Sequence, residues 1–255
     1  MMNTIQPRMR YLATLAAGLL VALSAPRVDA VIVQDFEAGL APGTPFGDVQ
    51  RLGTYGVPPF GGNFQLLLTT FNATDGPGLS GTNAIAVNGA GGLTSQLGLP
   101  AGTITFAGAI PVGTGSAYQL TLGALVVGQQ VGFSYDFLTS EGGHPDFAFA
   151  ALQNTTTGVV TYIAFANANQ GGLVVSPSPN FNLETGYLTL AGINVNVAGN
   201  YVLSIGVADA NNTSIASGLL IDNITVSVIP EPSTLALALV GIVGVTGFIR
   251  RRRLA

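Results

Sequence analysis

The chain has 255 residues, 48% of them hydrophobic and only 8% charged, with no cysteine and no tryptophan. Residues 31–229 hold a single base, Arg51, against ten acids, and no lysine. Such a body cannot neutralise phosphates, which excludes nucleic-acid binding, and the missing cysteines exclude disulfides, thiolate chemistry and a lipid anchor on cysteine.

Taken in order, Arg8 and Arg10 precede an apolar stretch at 11–23, and Val28-Asp29-Ala30 offers a small-residue cleavage site. Residues 1–30 are therefore predicted to be a signal peptide that engages the Sec translocon. Residues 31–229 are long enough for one all-β domain with a sizeable core. The body is predicted to open with a strand at 31–37. Residues 39–63, rich in glycine and proline, read as a long loop that carries Phe46, Tyr55 and Phe60.

Strands are then predicted at 64–71, 84–87, 103–107, 118–122, 131–138, 146–153, 159–166, 173–175, 187–193, 201–207 and 219–228. Several show a period of two: Val131, Phe133, Tyr135 and Phe137 alternate with Gly132, Ser134 and Asp136, as in a half-buried strand. Phe147, Phe149 and Ala151 share one face, as do Tyr201, Leu203, Ile205 and Val207. Asp75-Gly76-Pro77-Gly78 and Gly91-Gly92 read as turns between such runs. No stretch of the body has a helical period with caps, and no repeat of fixed length occurs. The prediction is an all-β, antiparallel two-sheet sandwich.

Few residues in this body carry chemistry. His144 is the only histidine and sits in Glu141-Gly142-Gly143-His144-Pro145-Asp146. A hydrolase would pair it with Ser140 and an acid, but the spacing offers no nucleophile elbow, and Gly-Gly with Pro marks a surface turn. Paired carboxylates would suit a glycosidase, yet nothing singles out one pair among ten acids. Tyr55 and Phe60 could stack on sugar rings or plug the end of the sandwich. Asp222 would share a face with Leu220, Ile224, Val226 and Val228 in a regular strand, so it needs a donor, a cation or a bulge that turns it outward. Carboxylates without counter-cations invite divalent ions, chiefly Ca²⁺.

The C-terminal residues 230–255 read Pro230-Glu231-Pro232-Ser233-Thr234, an apolar run at 235–249, and then Arg250, Arg251, Arg252 and Arg253. A helix from 232 to 249 would be roughly 27 Å long at ~1.5 Å per residue, close to the ~30 Å hydrocarbon core of a bilayer. Residues 230–255 are therefore expected to anchor the chain in a membrane, with the four arginines in the cytoplasm and the body outside. This arrangement resembles the PEP-CTERM sorting signal of Gram-negative bacteria, which is read by a membrane-embedded exosortase. The resemblance implies processing near Pro230, Glu231 and Pro232, and an inner-membrane precursor that later reaches the cell envelope or is released.

Two body segments resemble those of exported PEP-CTERM proteins, whose bodies look like jelly rolls of the carbohydrate-binding-module type. One is Phe137-Leu138-Thr139-Ser140-Glu141 with Pro145-Asp146-Phe147-Ala148-Phe149. The other runs from Gly199-Asn200-Tyr201 to Leu220-Ile221-Asp222-Asn223-Ile224. In such jelly rolls an acid of the first strand and an aspartate of the last can share a structural Ca²⁺; the matching positions are Asp35, Glu37 and Asp222. The resemblance also implies association with exopolysaccharide and biofilm matrix. The expected protein is thus exported and non-enzymatic, a candidate glycan binder, and the alternative is a secreted glycosidase-like hydrolase.

Overall fold

The computed structural model describes residues 30–106, 112–210 and 214–228. Pro230-Glu231-Pro232, the apolar run 235–249 and the arginine cluster lie outside the described residues, as does the signal peptide up to residue 29. Among the described residues no helix is long and apolar enough to cross a membrane. Strands β1 (Val31–Gln34), β2 (Thr44–Phe46), β3 (Asp48–Leu52), β4 (Gln65–Thr69) and β5 (Ile85–Ala86) precede a one-turn helix, α1 (Leu93–Gln96). Then follow β6 (Val112–Leu125), β7 (Gln129–Thr139), β8 (Phe147–Asn154), β9 (Val160–Asn167) and β10 (Val174–Val175). The series ends with β11 (Leu183–Glu184), β12 (Leu188–Asn194), β13 (Gly199–Ala210) and β14 (Ser217–Val228).

These strands form two antiparallel sheets. One runs β10-β11-β7-β14-β4-β3, with β12 continuing the edge of β7 and β1 pairing with β14. The other runs β2-β6-β13-β8-β9, with β5 also on β6. The predicted all-β sandwich is therefore the observed architecture. Three expectations are corrected. The loop expected at 39–63 contains β2 and β3, residues 103–106 are not a strand, and α1 supplies a helical turn where none was expected.

The alternation of the strands sets the layers. Leu66 and Leu68 of β4, Phe133, Tyr135 and Phe137 of β7, and Leu203, Ile205 and Val207 of β13 meet between the sheets. The opposite faces are covered as well, so the half-buried reading of β7 does not hold: Ser134 and Asp136 are buried. On the first sheet Leu67, Leu138 and Leu220 lie under Val57 and Phe181. On the second, Ala117, Phe147, Phe149 and Ala208 lie under Val87, Leu93, Leu97 and Ile104 of the segment around α1. Each cover removes apolar surface from water at roughly 25 cal/mol per Å². Gly206 shows how tightly these layers close, since a Cβ there would lie 2.5 Å from the Phe149 ring.

Asp222 follows the bulge reading. Leu219 and Ile221 face the inner layer and Leu220 the outer one, but beyond Asn223 it is Ile224 that faces inward. The phase changes at Asn223, which adopts φ +48°, so Ile224 turns inward while Asp222 stays on the outer side with Leu220. Asparagine tolerates this left-handed conformation where β-branched residues do not. Asn223→Gly is expected to keep stability within about 1 kcal/mol, whereas Asn223→Val should cost about 2 kcal/mol. Denaturant melts of the two variants check this; equal midpoints would remove Asn223 as the cause of the phase change.

Candidate functional site

At the junction of the first and last strands the chain gathers three carboxylates. The Glu37 carboxylate accepts the amides of Asn63 and Phe64 at 2.6 and 2.8 Å, and these amides hold its pKa below the usual value. Asp222 is buried and accepts the amides of Gly61 at 2.8 Å and Asn223 at 2.7 Å. Desolvation pushes the Asp222 carboxyl up against those hydrogen bonds, and the charges of Asp35 and Glu37 push the same way. Asp35 turns inward to the Glu37 amide at 3.1 Å. The three predicted metal positions are thus within electrostatic reach of one another. Among the described residues, however, no group of three or more acidic or histidine side chains is placed to hold a metal ion. The loop 61–64 supplies backbone amides to Glu37 and Asp222.

A second acidic group lies where β13 ends and β14 begins, in the seam between the sheets. Asp146, just before β8, accepts the Ala210 amide at 2.9 Å and the Ser217 hydroxyl at 2.8 Å. Asp209 of β13 is hydrogen-bonded to Asp146, and both side chains are fully buried. Thr114 donates to one Asp209 oxygen at 3.3 Å, while its Oδ1 has no conventional donor. Two touching carboxylates in a low dielectric cannot both ionise, so the pair shares a proton. Burial pushes both pKa values up, and the Asp146 charge, with Asp75 adding a little, pushes Asp209 further; Glu141 acts similarly on Asp146.

Sequence reasoning singled out Asp146 only as a neighbour of His144 and passed over Asp209. The signal was present: Asp209 continues the inward series Tyr201, Leu203, Ile205, Val207, and Asp146 precedes the inward series Ala148, Ala150, Leu152.

The outer face of the first sheet holds Asp136 beside Glu184. Burial, reinforced by the Glu184 charge, pushes Asp136 up to about 7 while Thr185 donates to it at 3.1 Å. The loop aromatics close over this face. Tyr55 packs on Phe181 and donates its hydroxyl to Asn180, and Phe60 packs on Tyr187 at 5.5 Å. Phe60 keeps 50% of its surface exposed.

Ser140 is engaged with the Asn180 carbonyl at 3.4 Å and the Asn182 amide at 3.2 Å, while the His144 amide points to Glu141. A shallow hollow of about 420 Å³, lined by residues such as Phe46, Thr82, Asn83 and Gln96, has no carboxylate in its wall.

Residues 228–253 match the PEP-CTERM protein-sorting motif. No curated protein is similar enough to stand as a relative of the chain. Among solved structures, the chain is similar to the CBM22-1 xylan-binding domain of Paenibacillus barcinonensis Xyn10C, with 13% identity, 81% of this chain and 98% of that one covered, and a TM-score of 0.39. It is similar to the C-terminal family 22 carbohydrate-binding module of Clostridium thermocellum Xyn10B, with 14% identity, coverage of 80% and 98%, and a TM-score of 0.39. It is also similar to TmCBM27, a carbohydrate-binding module described for specific mannan recognition, with 13% identity, coverage of 80% and 99%, and a TM-score of 0.40.

The raised carboxyls dictate an unusual pH dependence. A carboxyl whose folded pKa lies above its unfolded value holds a proton in the native state that the unfolded chain has released. Its stabilising effect is complete below the unfolded pKa, near 4, and is lost as pH rises through the folded one, about 7 for Asp136. The Asp146–Asp209 pair acts in the same direction. The melting temperature is therefore expected to fall between about pH 4 and pH 7 and beyond. Asp209→Asn, which donates to Asp146 without titrating, should flatten that slope; an unchanged slope would show that the shared proton is not what is being lost.

Proposed function

We propose that this chain is an exported, non-catalytic surface protein, sorted by an exosortase through its C-terminal motif, with a β-sandwich body that serves the extracellular matrix. The observation that carries this reading is the sorting-motif match at residues 228–253, which spans Pro230-Glu231-Pro232, the apolar run and the arginines. In it Glu231 is the recognition residue and the flanking prolines keep the segment extended for a protease, since each restricts itself and its predecessor. The arginines stop transfer on the cytoplasmic side.

Two features of the body support a non-catalytic role. Asp146 and Asp209 are sealed from solvent, so no substrate reaches the pair that most resembles an acid–base dyad. Ser140 is held by backbone groups of 180–182. Phe60, half exposed and braced by Tyr187, favours contact with a glycan such as exopolysaccharide, because a rigid aromatic face suits sugar stacking.

The sorting step is checked by replacing Glu231 in the producing cell. Glu231→Ala is expected to accumulate as uncut, membrane-bound precursor, read as intact mass in the membrane fraction. A mature protein that still lacks the tail would remove Glu231 from the recognition step.

Calcium at Asp35, Glu37 and Asp222 is the accompanying proposal. The amides of 61–64 leave lone pairs on these carboxylates, and Ca²⁺ takes six to eight oxygens in flexible geometry. The ion would tie the first strand to the last without displacing those amides. At free Ca²⁺ of 100 times Kd the stabilisation is about 2.7 kcal/mol, roughly 5–10 °C for a domain near this size. Melting the purified chain in EDTA and in millimolar Ca²⁺, with and without Asp222→Asn, reads this shift. Equal temperatures would leave the 61–64 amides as the sole partners of the site.

A further inference from the structure

The two ends of the sandwich differ sharply in charge. One end holds Asp75, Glu141, Asp146 and Asp209, as described above. The other is built from the β6–β7 turn, the β8–β9 turn, the β12–β13 link, the start of β1 and the end of β14. Their assembly is explicit in the hydrogen bonds. The Val195 amide donates to the Gln129 carbonyl at 2.8 Å, Leu125 pairs with Gly199, and Asn154 donates through its amide to the Val159 carbonyl at 2.8 Å and through its side chain to the Val197 carbonyl at 3.5 Å. Val31 pairs with Val226, and the Thr225 hydroxyl donates to the Gly132 carbonyl beside them at 3.3 Å.

This second end is uncharged and apolar. Residues 30–34, 123–131, 153–162, 188–201 and 223–228 contain no Asp, Glu, Lys, Arg or His. Val31, Ile32, Val126, Val127, Val159 and Val197 nevertheless stand exposed there, Val127 to 64%. Single exposed aliphatic side chains are ordinary, but six on one charge-free end of a body with ten acids form a patch that marks an interaction surface.

Strand β14 ends at Val228, at this same end, so the chain leaves for its tail there. Six residues separate Val228 from Leu235, a reach of at most about 25 Å when fully extended. A body of about 200 residues has a radius of gyration near 16 Å, so the tether is shorter than the body is wide. We propose that this valine-studded end rests on the outer face of the lipid bilayer while the chain is still held by its C-terminal span. The proposal rests on the reading of 235–249 as that span. The acidic end is repelled by anionic headgroups, whereas the neutral end, whose nearest acids are Asp35, Glu37 and Asp222 just inward of residues 34 and 223, bears a smaller penalty and presents apolar surface at the level where the chain enters the membrane. Cutting near Glu231 removes the tether, and contact through valines alone, with no basic residue and no lipid chain, is too weak to retain the body.

The absence of cysteine makes the test clean. The full chain is reconstituted into phosphatidylethanolamine–phosphatidylglycerol vesicles with single fluorescent probes at Val127→Cys, Val197→Cys, Ala73→Cys or Val240→Cys, and nitroxide lipids are added as quenchers. Probes at 127 and 197 are expected to lose fluorescence to headgroup-region nitroxides, the probe at 240 to deep nitroxides, and the probe at 73 to neither. Val126→Ser together with Val197→Ser should restore the fluorescence of a probe at 159. Deep quenching at 240 with positions 127 and 197 no more quenched than 73 leaves the span standing and overturns the contact. No quenching at 240 removes the span, and the contact falls with it. A blue shift at 127 without quenching, accompanied by cross-linking of two copies, makes this end a self-association surface instead and also overturns the proposal.

Discussion

Strands β7, β8 and β13 are covered on both faces, and that constraint governs the placement of nearly everything else. A strand in such a position has no solvent side on which to carry polar groups at no cost, because an unpartnered buried donor or acceptor costs about 1–3 kcal/mol. The sequence meets this with long apolar runs and confines its acids to places where a partner is built in. The segments 84–106 and 53–63 serve as lids over the outer faces. They have to be long and rich in turns because they cross a sheet instead of extending it.

Only Arg51 could neutralise any of the ten acids in the body, and it is engaged elsewhere. Its guanidinium donates to the Phe36 and Glu37 carbonyls and lies 3.3 Å from the Phe64 ring centroid. The acids are therefore met by other means. Glu37 and Asp48 take backbone amides, Asp48 those of Leu79 and Ser80 at 2.9 and 2.7 Å, so each carboxylate folds a loop around itself. Asp146 takes an amide, a hydroxyl and the proton it shares with Asp209. An amide-bound carboxylate keeps its charge and organises a loop; a proton-sharing pair gives up a charge and joins two sheets. Both avoid an ion pair, whose desolvation would need close geometric compensation.

The all-β sandwich was legible in the sequence because alternation in β7 and β13 is strong and turn residues separate the strands. What the alternation could not reveal was how many faces are buried. Gly132, Ser134 and Asp136 look like a solvent face, and only the three-dimensional course of residues 53–63 and 176–187 covers them. The phase change at Asp222 was legible as one of two alternatives, since a lone inward carboxylate demanded either a partner or a bulge; no local residue pattern chose between them. Strands β2 and β3 escaped notice because Gly43, Pro45 and Gly47 read as loop, although edge strands tolerate proline. The Asp146–Asp209 pair joins residues more than sixty positions apart, and no spacing rule spans that distance.

The acids are spread unevenly along β14: Asp146 and Asp209 lie beside its start, Asp222 sits within it, and its residues from 223 to Val228 are uncharged. On the proposed route the body must stay soluble once cut free, and its charge supplies that, but until then it would sit beside a surface that repels the same charge. Distributing ten acids evenly would set the tethered body against anionic headgroups wherever it turned. Strand β14 resolves the conflict by its direction: it starts at Ser217, hydrogen-bonded to Asp146 in the acidic seam, and finishes at Val228 among uncharged turns. The last strand thus runs from the acidic seam, past Asp222, to uncharged turns, and reversing it would start the sorting motif beside Asp146 and Asp209.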